Sequence, residues 1–195
     1  MTSVQAQKFD VVVVGAGAAG LFCAGVAGQR GLKVLVVDHS DKVAEKIRIS
    51  GGGRCNFTNT GTTPANFLSD NPHFCRSALS RYTPQDFIAL LAAYSVPFHE
   101  KHKGQLFCDR SAEDVIHVLL AECDKGGVTR WQPCRIENIT QSATGQGVDC
   151  PISYQINSSM GWIETPQIVV ATGGLSIPKI GATDFGYRLA RQFGL

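Results

Sequence analysis

Phe9-Asp10-Val11-Val12-Val13-Val14-Gly15-Ala16-Gly17-Ala18-Ala19-Gly20, answered further along by Val34-Leu35-Val36-Val37-Asp38, decides how this chain folds. A continuous β-branched run reads as a parallel strand buried on both faces, and this one breaks directly into glycines. In such a turn Gly15 permits the tight bend, Gly17 lets backbone approach a pyrophosphate, and Gly20 lets the next helix pack close to the strand. The amides and positive end of that helix, read over residues 18–29, then attract an anion. Asp38 stands eighteen residues after Gly20 at the end of a second apolar strand, where a carboxylate accepts hydrogen bonds from both hydroxyls of a ribose. A 2′-phosphate would be repelled there. Strand, small-residue helix, second strand and acid fall in register, which points to an adenine dinucleotide and away from a merely structural βαβ unit.

The composition is that of an ordinary globular protein: 195 residues, 44% hydrophobic, 17% charged. A net charge of +2 with scattered Lys and Arg makes no basic stripe, so no nucleic-acid partner is expected. Residues 11–28 are apolar enough to suggest a leader or a membrane span. Five glycines within them weaken a spanning helix, the fingerprint accounts for the run, and no membrane partner is expected. Seven cysteines, an odd number without CxxC or metal-ligand spacing, imply reduced thiols, a cytoplasmic setting and no metal site.

Beyond Asp38, residues 41–59 read as too glycine-rich and polar for core. Gly51, Gly52 and Gly53, flanked by Lys46, Arg48 and Arg54, form a second anion cradle of freely bending backbone. Thr83, Pro84 and Asp86 open a helix that Pro97 stops. Residues 98–101 and 105–108 read as a hairpin turning at Lys103-Gly104, and Ser111 begins a further helix ending at Gly126-Gly127. His117 on that helix reads as structural. Strands are then expected over 128–132, 135–140, 147–156 and 162–171, the last running into Thr172-Gly173-Gly174. A final helix from about Asp184 stops at Gly194.

GAGAAG at 15–20, EKIRISGGGRCNFTN at 45–59, GQLFCDRSAEDV at 104–115 and VVATGGLSIPKIGATDFGY at 169–187 together resemble the BaiN/RdsA-type NAD(P)/FAD-dependent oxidoreductases, flavoproteins of the glutathione-reductase-like superfamily. The resemblance covers almost the whole chain, and the 45–59 motif is far more specific than the first. It implies a three-layer α/β, Rossmann-like FAD-binding fold whose parallel sheet has a β-meander crossover. Three segments follow: 1–60 with the first βαβ unit and the GGGRCN cradle, 61–127 with helices and hairpin, and 128–195 with the meander, the ATGG strand and the last helix.

The resemblance places Gly15, Gly17, Ala18, Ala19 and Gly20 at the pyrophosphate and Asp38 with His39 at the ribose. Lys46, Ser50, Gly51, Gly52, Gly53, Arg54 and Asn56 fall along the phosphates and toward the flavin, Ile136 beside the adenine, and Thr172, Gly173 and Gly174 along the dinucleotide. It implies NAD(P)H as electron donor and a small organic acceptor. No acid or base is singled out, and Cys55, lacking a partner at disulfide-reductase spacing, reads as structural. Asp38 replaces the family's more usual glutamate, and Gly181 to Gly186 departs from its TGDG form. Family members are about twice as long, so a substrate domain is expected to be absent here. The alternatives are a truncated, non-catalytic dinucleotide-binding module or one half of a split protein, prone to oligomerise.

Overall fold

The structure, a computed structural model, describes residues 5–143, 152–177 and 181–195. Along the chain run β1 (Gln7–Lys8), β2 (Val11–Val14), α1 (Ala18–Gln29), β3 (Val34–Val37), α2 (Glu45–Ile49), β4 (Asn56–Asn59), α3 (Arg76–Arg81), α4 (Pro84–Ala93), β5 (Phe98–Glu100), β6 (Gln105–Cys108) and α5 (Glu113–Lys125). They are followed by β7 (Thr129–Trp131), β8 (Ile136–Ala143), β9 (Ile152–Ser158), β10 (Gly161–Thr165), β11 (Ile168–Val170) and α6 (Phe185–Gln192). The chain divides into two compact units, Met1–Lys46 with Leu119–Leu195, and Ile47–Val118.

In the first unit β11, β2, β3 and β7 form a parallel sheet in that order, with Val12 opposite Leu35 and Val169 opposite Val13. The valine run is buried along its whole length, as a strand covered on both faces requires. Side chains alternate across the sheet. Val12, Val14, Leu35 and Val37 share a core with Ile139, Ile156 and Ile163 of a second sheet, ordered β1-β10-β9-β8. The connection from β7 to β11 is therefore a meander of β8, β9 and β10, as the resemblance implied.

Helix α1 covers the parallel sheet through small residues. A Cβ on Gly28 would come 2.5 Å from the Gly126 carbonyl oxygen and one on Gly25 3.2 Å from the Glu122 carbonyl carbon, so its contact with the end of α5 is backbone against backbone.

The run expected as one strand over 162–171 is two strands in two sheets. Pro166 has no N–H to donate to a ladder, and the fully buried Thr165 turns the chain by bonding Gln167: Thr165 Oγ1 donates to the Gln167 oxygen at 3.0 Å. The strand expected over 128–132 lies in the parallel sheet, and the part of the 147–156 strand before Ile152 falls outside the described residues, as do residues 178–180.

The second unit is built on an antiparallel sheet ordered β4-β6-β5. The expected hairpin is present as β5 and β6, with Phe98 opposite Cys108 and His99 opposite Phe107. The reading of residues 41–59 as outside the core is corrected, because β4 pairs with β6, Cys55 is buried, and Phe57 packs on Phe87 and Phe98 at 6.0 and 5.5 Å. In the first unit Ala44 is buried as well. Helix α4 starts at a capping box: Asp86 Oδ2 accepts from Thr83 N at 2.7 Å, and Thr83 Oγ1 accepts from Asp86 N at 3.3 Å. His117 lies on the exposed side of α5 and supports no core. No helix among the described residues is long and apolar enough to cross a membrane.

Candidate functional site

In the first unit the glycine turn is held by contact. Gly15 has φ of +112°, and a Cβ there would come 2.5 Å from the Ala171 oxygen. A Cβ on Gly20 would lie 1.8 Å from the Gly15 oxygen, so helix α1 starts hard against the turn. Gly17 is different. Nothing stands within 4 Å of where its Cβ would be, leaving open space before the helix N-terminus. That N-terminus has neither a side-chain cap nor an acid in its first turn, and Ala18 and Ala19 are exposed. Its amides are left for an outside acceptor.

Asp38 closes the turn from β3. Its Oδ2 accepts from Ala16 N at 2.6 Å, and its Oδ1 accepts from Ser40 N at 2.8 Å with His39 Nδ1 3.6 Å away. Each carboxylate oxygen keeps lone-pair capacity for a further donor. Asp38 therefore has a structural duty that the sequence reading did not assign.

Beside the ends of β2 and β3 lies a cavity of about 350 Å³ that brings Gly15, Asp38, His39, Ile136 and Thr172 together. The volume is that of a small-ligand pocket. Gly17, Ala18, Ala19, Gly20, Gly173 and Gly174 do not line it. Lys46 is committed elsewhere, donating from Nζ to Ser176 Oγ at 2.6 Å. Cys134, Arg135, Thr183, Phe185 and Arg188 also line the cavity and were missed in the sequence. The one available signal was the i, i+3 spacing of Phe185 and Arg188 on one face of α6. Asp184, outside the family's usual pattern, pairs with Arg188 at 2.9 Å.

In the second unit Gly51, Gly52 and Gly53 have φ of +58°, +67° and +86°, three consecutive residues in the left-handed region. Cβ atoms at Gly52 and Gly53 would meet open space, so conformation and not crowding selects glycine there. The loop is pinned at its ends: Cys55 N donates to the Ser50 oxygen at 3.0 Å, Ala112 N to the Gly53 oxygen at 2.7 Å, and Cys108 N to the Arg54 oxygen at 2.9 Å. Arg54 and Asn56 are exposed beside it. Arg48, expected to flank the cradle as a cation, instead forms an ion pair with Glu113.

Burial pushes the Cys55 thiol up, against a smaller opposing effect of a hydrogen bond with Ser50. Burial, aided by neighbouring Cys55, pushes Cys108 up to about 12. Both remain thiols near neutral pH, and only a thiolate is a competent nucleophile. Among the described residues no group of three or more His, Cys, Asp or Glu side chains is placed to hold a metal ion.

Residues 9–195 match the family described as "HI0933-like protein Rossmann domain". The chain is 47% identical over 189 residues to the ribosomal RNA dihydrouridine synthase of Escherichia coli (strain K12), covering 97% of this chain and 45% of that protein. It is 25% identical over 186 residues to the 3-dehydro-bile acid delta(4,6)-reductase of Clostridium scindens, covering 93% of this chain and 43% of that protein. The chain thus spans about half the length of the curated relatives it matches. Among solved structures, Thermovibrio ammonificans THI4 superposes with a TM-score of 0.59 at 14% identity, covering 96% of this chain and 64% of that one, a likeness of fold.

Proposed function

The chain belongs to the HI0933-like Rossmann-domain family and has the Rossmann-like α/β fold of FAD-binding flavoproteins; from that premise we propose that it is the FAD-binding portion of an NAD(P)H-reduced oxidoreductase that saturates a carbon–carbon double bond conjugated to a carbonyl, with a uracil of ribosomal RNA as acceptor. The observation that carries the reading is 47% identity spread over 97% of the chain. Dihydrouridine is uridine with hydrogen added across C5=C6, a bond conjugated to the C4 carbonyl. The bile acid reductase is named for the same kind of bond in a steroid ketone. A small-molecule acceptor is the second reading, favoured by that relative at 25% identity and by a net charge of only +2. The RNA acceptor rests on the relatives and not on a basic surface.

The residues of the first unit fit an adenine dinucleotide. Gly17 leaves room for backbone to meet a pyrophosphate, the uncapped amides of residues 17–19 are donors for it, and Asp38 has spare acceptor capacity for ribose hydroxyls. His39, Ile136 and Thr172 wall the adjoining cavity, and Gly173 and Gly174 follow β11 with unhindered backbone. The second unit's contribution in this reading is the exposed Arg54 and the backbone of residues 50–53, an anion-binding surface in its own right. The flavin, when bound, supplies two-electron chemistry; this chain supplies placement and electrostatics. Six free cysteines among the described residues support a reducing, cytoplasmic setting.

The test is anaerobic. Protein loaded with FAD is bleached with NAD(P)H, mixed with ribosomal RNA, and the RNA is digested for nucleoside mass spectrometry. Return of the oxidised spectrum with dihydrouridine in the digest is the expected result. Reoxidation by a steroid enone but not by RNA would move the acceptor to the small-molecule class.

A further inference from the structure

The second unit packs some of its aromatic side chains together and leaves others in water. Phe87 and Phe98 lie against Phe57, with ring centroids 6.0 and 5.5 Å away. Phe74, by contrast, is 82% exposed, Phe67 is 49% exposed and Leu68 is 96% exposed. A single exposed apolar side chain needs no explanation, whereas several gathered in one place mark a binding surface.

The backbone gathers these three. Phe67 N donates to the Pro64 oxygen at 3.2 Å and Cys75 Sγ donates to the same oxygen at 3.9 Å, so the two ends of residues 67–75 meet at one atom. Between them Asn71 ties a turn. Its Oδ1 accepts from His73 N at 3.0 Å, and its carbonyl oxygen accepts from Phe74 N at 3.1 Å and from Ser69 Oγ at 2.7 Å. Pro72 fixes its own φ inside that turn. The exposed rings therefore stand on an organised loop, and a partner that binds them has little backbone left to order.

The charge beside them has one sign. Asp70 is the one acid between Glu45 and Asp86, and residues 71–85 carry Arg76 and Arg81 and no acid. Both arginines are exposed on α3, and neither makes an ion pair among the described residues. Asp86 is taken up by the Thr83 cap. Exposed rings beside unopposed guanidinium groups suit a single-stranded nucleic acid, in which a ring takes the face of a base and a cation takes a phosphate. A duplex hides its base faces and offers the phosphates alone.

We propose that residues 67–81 of the second unit are the surface that takes unpaired bases of an RNA, with Phe74 stacking on one base and Arg76 and Arg81 holding the flanking phosphates. This rests on the RNA-acceptor reading above and names the part of the chain that holds the strand. It also reconciles an RNA partner with a net charge of only +2, because stacking supplies what a basic stripe otherwise would.

Fluorescence anisotropy of the full chain tests it, with a labelled, uridine-rich single-stranded RNA of about 12 nucleotides, within the span of ordinary single-strand sites. F74A should weaken binding about tenfold, the loss of one stacked base. R76Q and R81Q should each flatten the slope of log affinity against log salt by about 0.7, the release of one counterion from a single strand. The same RNA annealed to its complement should bind more weakly than the single strand, and all three variants should melt with the wild type because these side chains are exposed. An F74A chain that binds the strand as tightly as the wild type overturns the surface. So does a wild-type dimer in sedimentation that F74A dissolves and the RNA does not, which would give the patch to a second copy of the chain. In either case dihydrouridine formed in ribosomal RNA by the FAD-loaded protein leaves the acceptor reading standing. A wild type that neither binds the strand nor forms dihydrouridine overturns both.

Discussion

The two glycine-rich stretches use the same residue for opposite reasons. At Gly15 and Gly20 glycine is demanded by crowding, since a Cβ would lie 2.5 Å and 1.8 Å from carbonyl oxygens. At residues 51–53 it is demanded by backbone angle, with three positive φ values and open space in front of Gly52 and Gly53. The first is a packing joint that holds helix, strand and Asp38 in one position. The second is a bent, exposed ribbon tied at its ends. A glycine motif therefore has two failure modes, steric collapse and conformational strain, and the chain carries one of each.

The gravest single change is G20A. Its methyl group has no room beside the Gly15 oxygen, so the cooperative melt of the first unit and all FAD retention should be lost, as read by circular dichroism and absorbance. Next is D38A. It strips the acceptors from Ala16 N and Ser40 N, at about 1–3 kcal/mol for each amide left unpaired, and should weaken FAD binding by about tenfold or more in calorimetric titration. A D38A protein with wild-type affinity would show that the acid serves only the turn. G52A should cost about 1–2 kcal/mol of left-handed strain and no more, because nothing is there to strike. Equal losses in G20A and G52A would erase the distinction.

Smaller effects concern the buried thiols and a helix cap. Cys108, pushed up to about 12, and Cys123, pushed up to about 11, should resist iodoacetamide at neutral pH along with buried Cys55, while the less buried Cys23 and Cys75 react first by mass spectrometry. Fast labelling of Cys55 would mean that the ribbon opens. The smallest effect is at the α4 cap. Thr83 holds the Asp86 carboxyl below its usual range through side-chain and backbone hydrogen bonds. That stabilisation is fully present above the ordinary carboxylate pKa of about 4 and is lost as pH falls through the lower folded value. T83A should therefore lower the melting temperature by a few degrees at neutral pH and by progressively less in acid.

What was legible in the sequence was whatever is written in contiguous residues. The valine run, the glycine turn and Asp38 are local signals whose spacing carries the geometry, and the Thr83 cap is a local signal of the same kind. What was not legible depends on partners far along the chain. Residues 162–171 look like one apolar strand until Thr165 and Pro166 turn them between sheets. Asn56–Asn59 looks like polar loop because its one large apolar residue, Phe57, finds its aromatic neighbours only across the second unit. Arg48 looks like an anion ligand until Glu113, sixty-five positions later, takes it. The cavity residues Arg135 and Arg188 are likewise products of register, which no single segment encodes.

On the proposed reading the crowded glycine turn and Asp38 together form a dinucleotide site. The most direct test is the visible spectrum of the protein after incubation with FAD and gel filtration, wild type beside D38A. Flavin bands near one equivalent in the wild type and much reduced in D38A are the expected result. A colourless wild type, or bands equally strong in D38A, would contradict the claim.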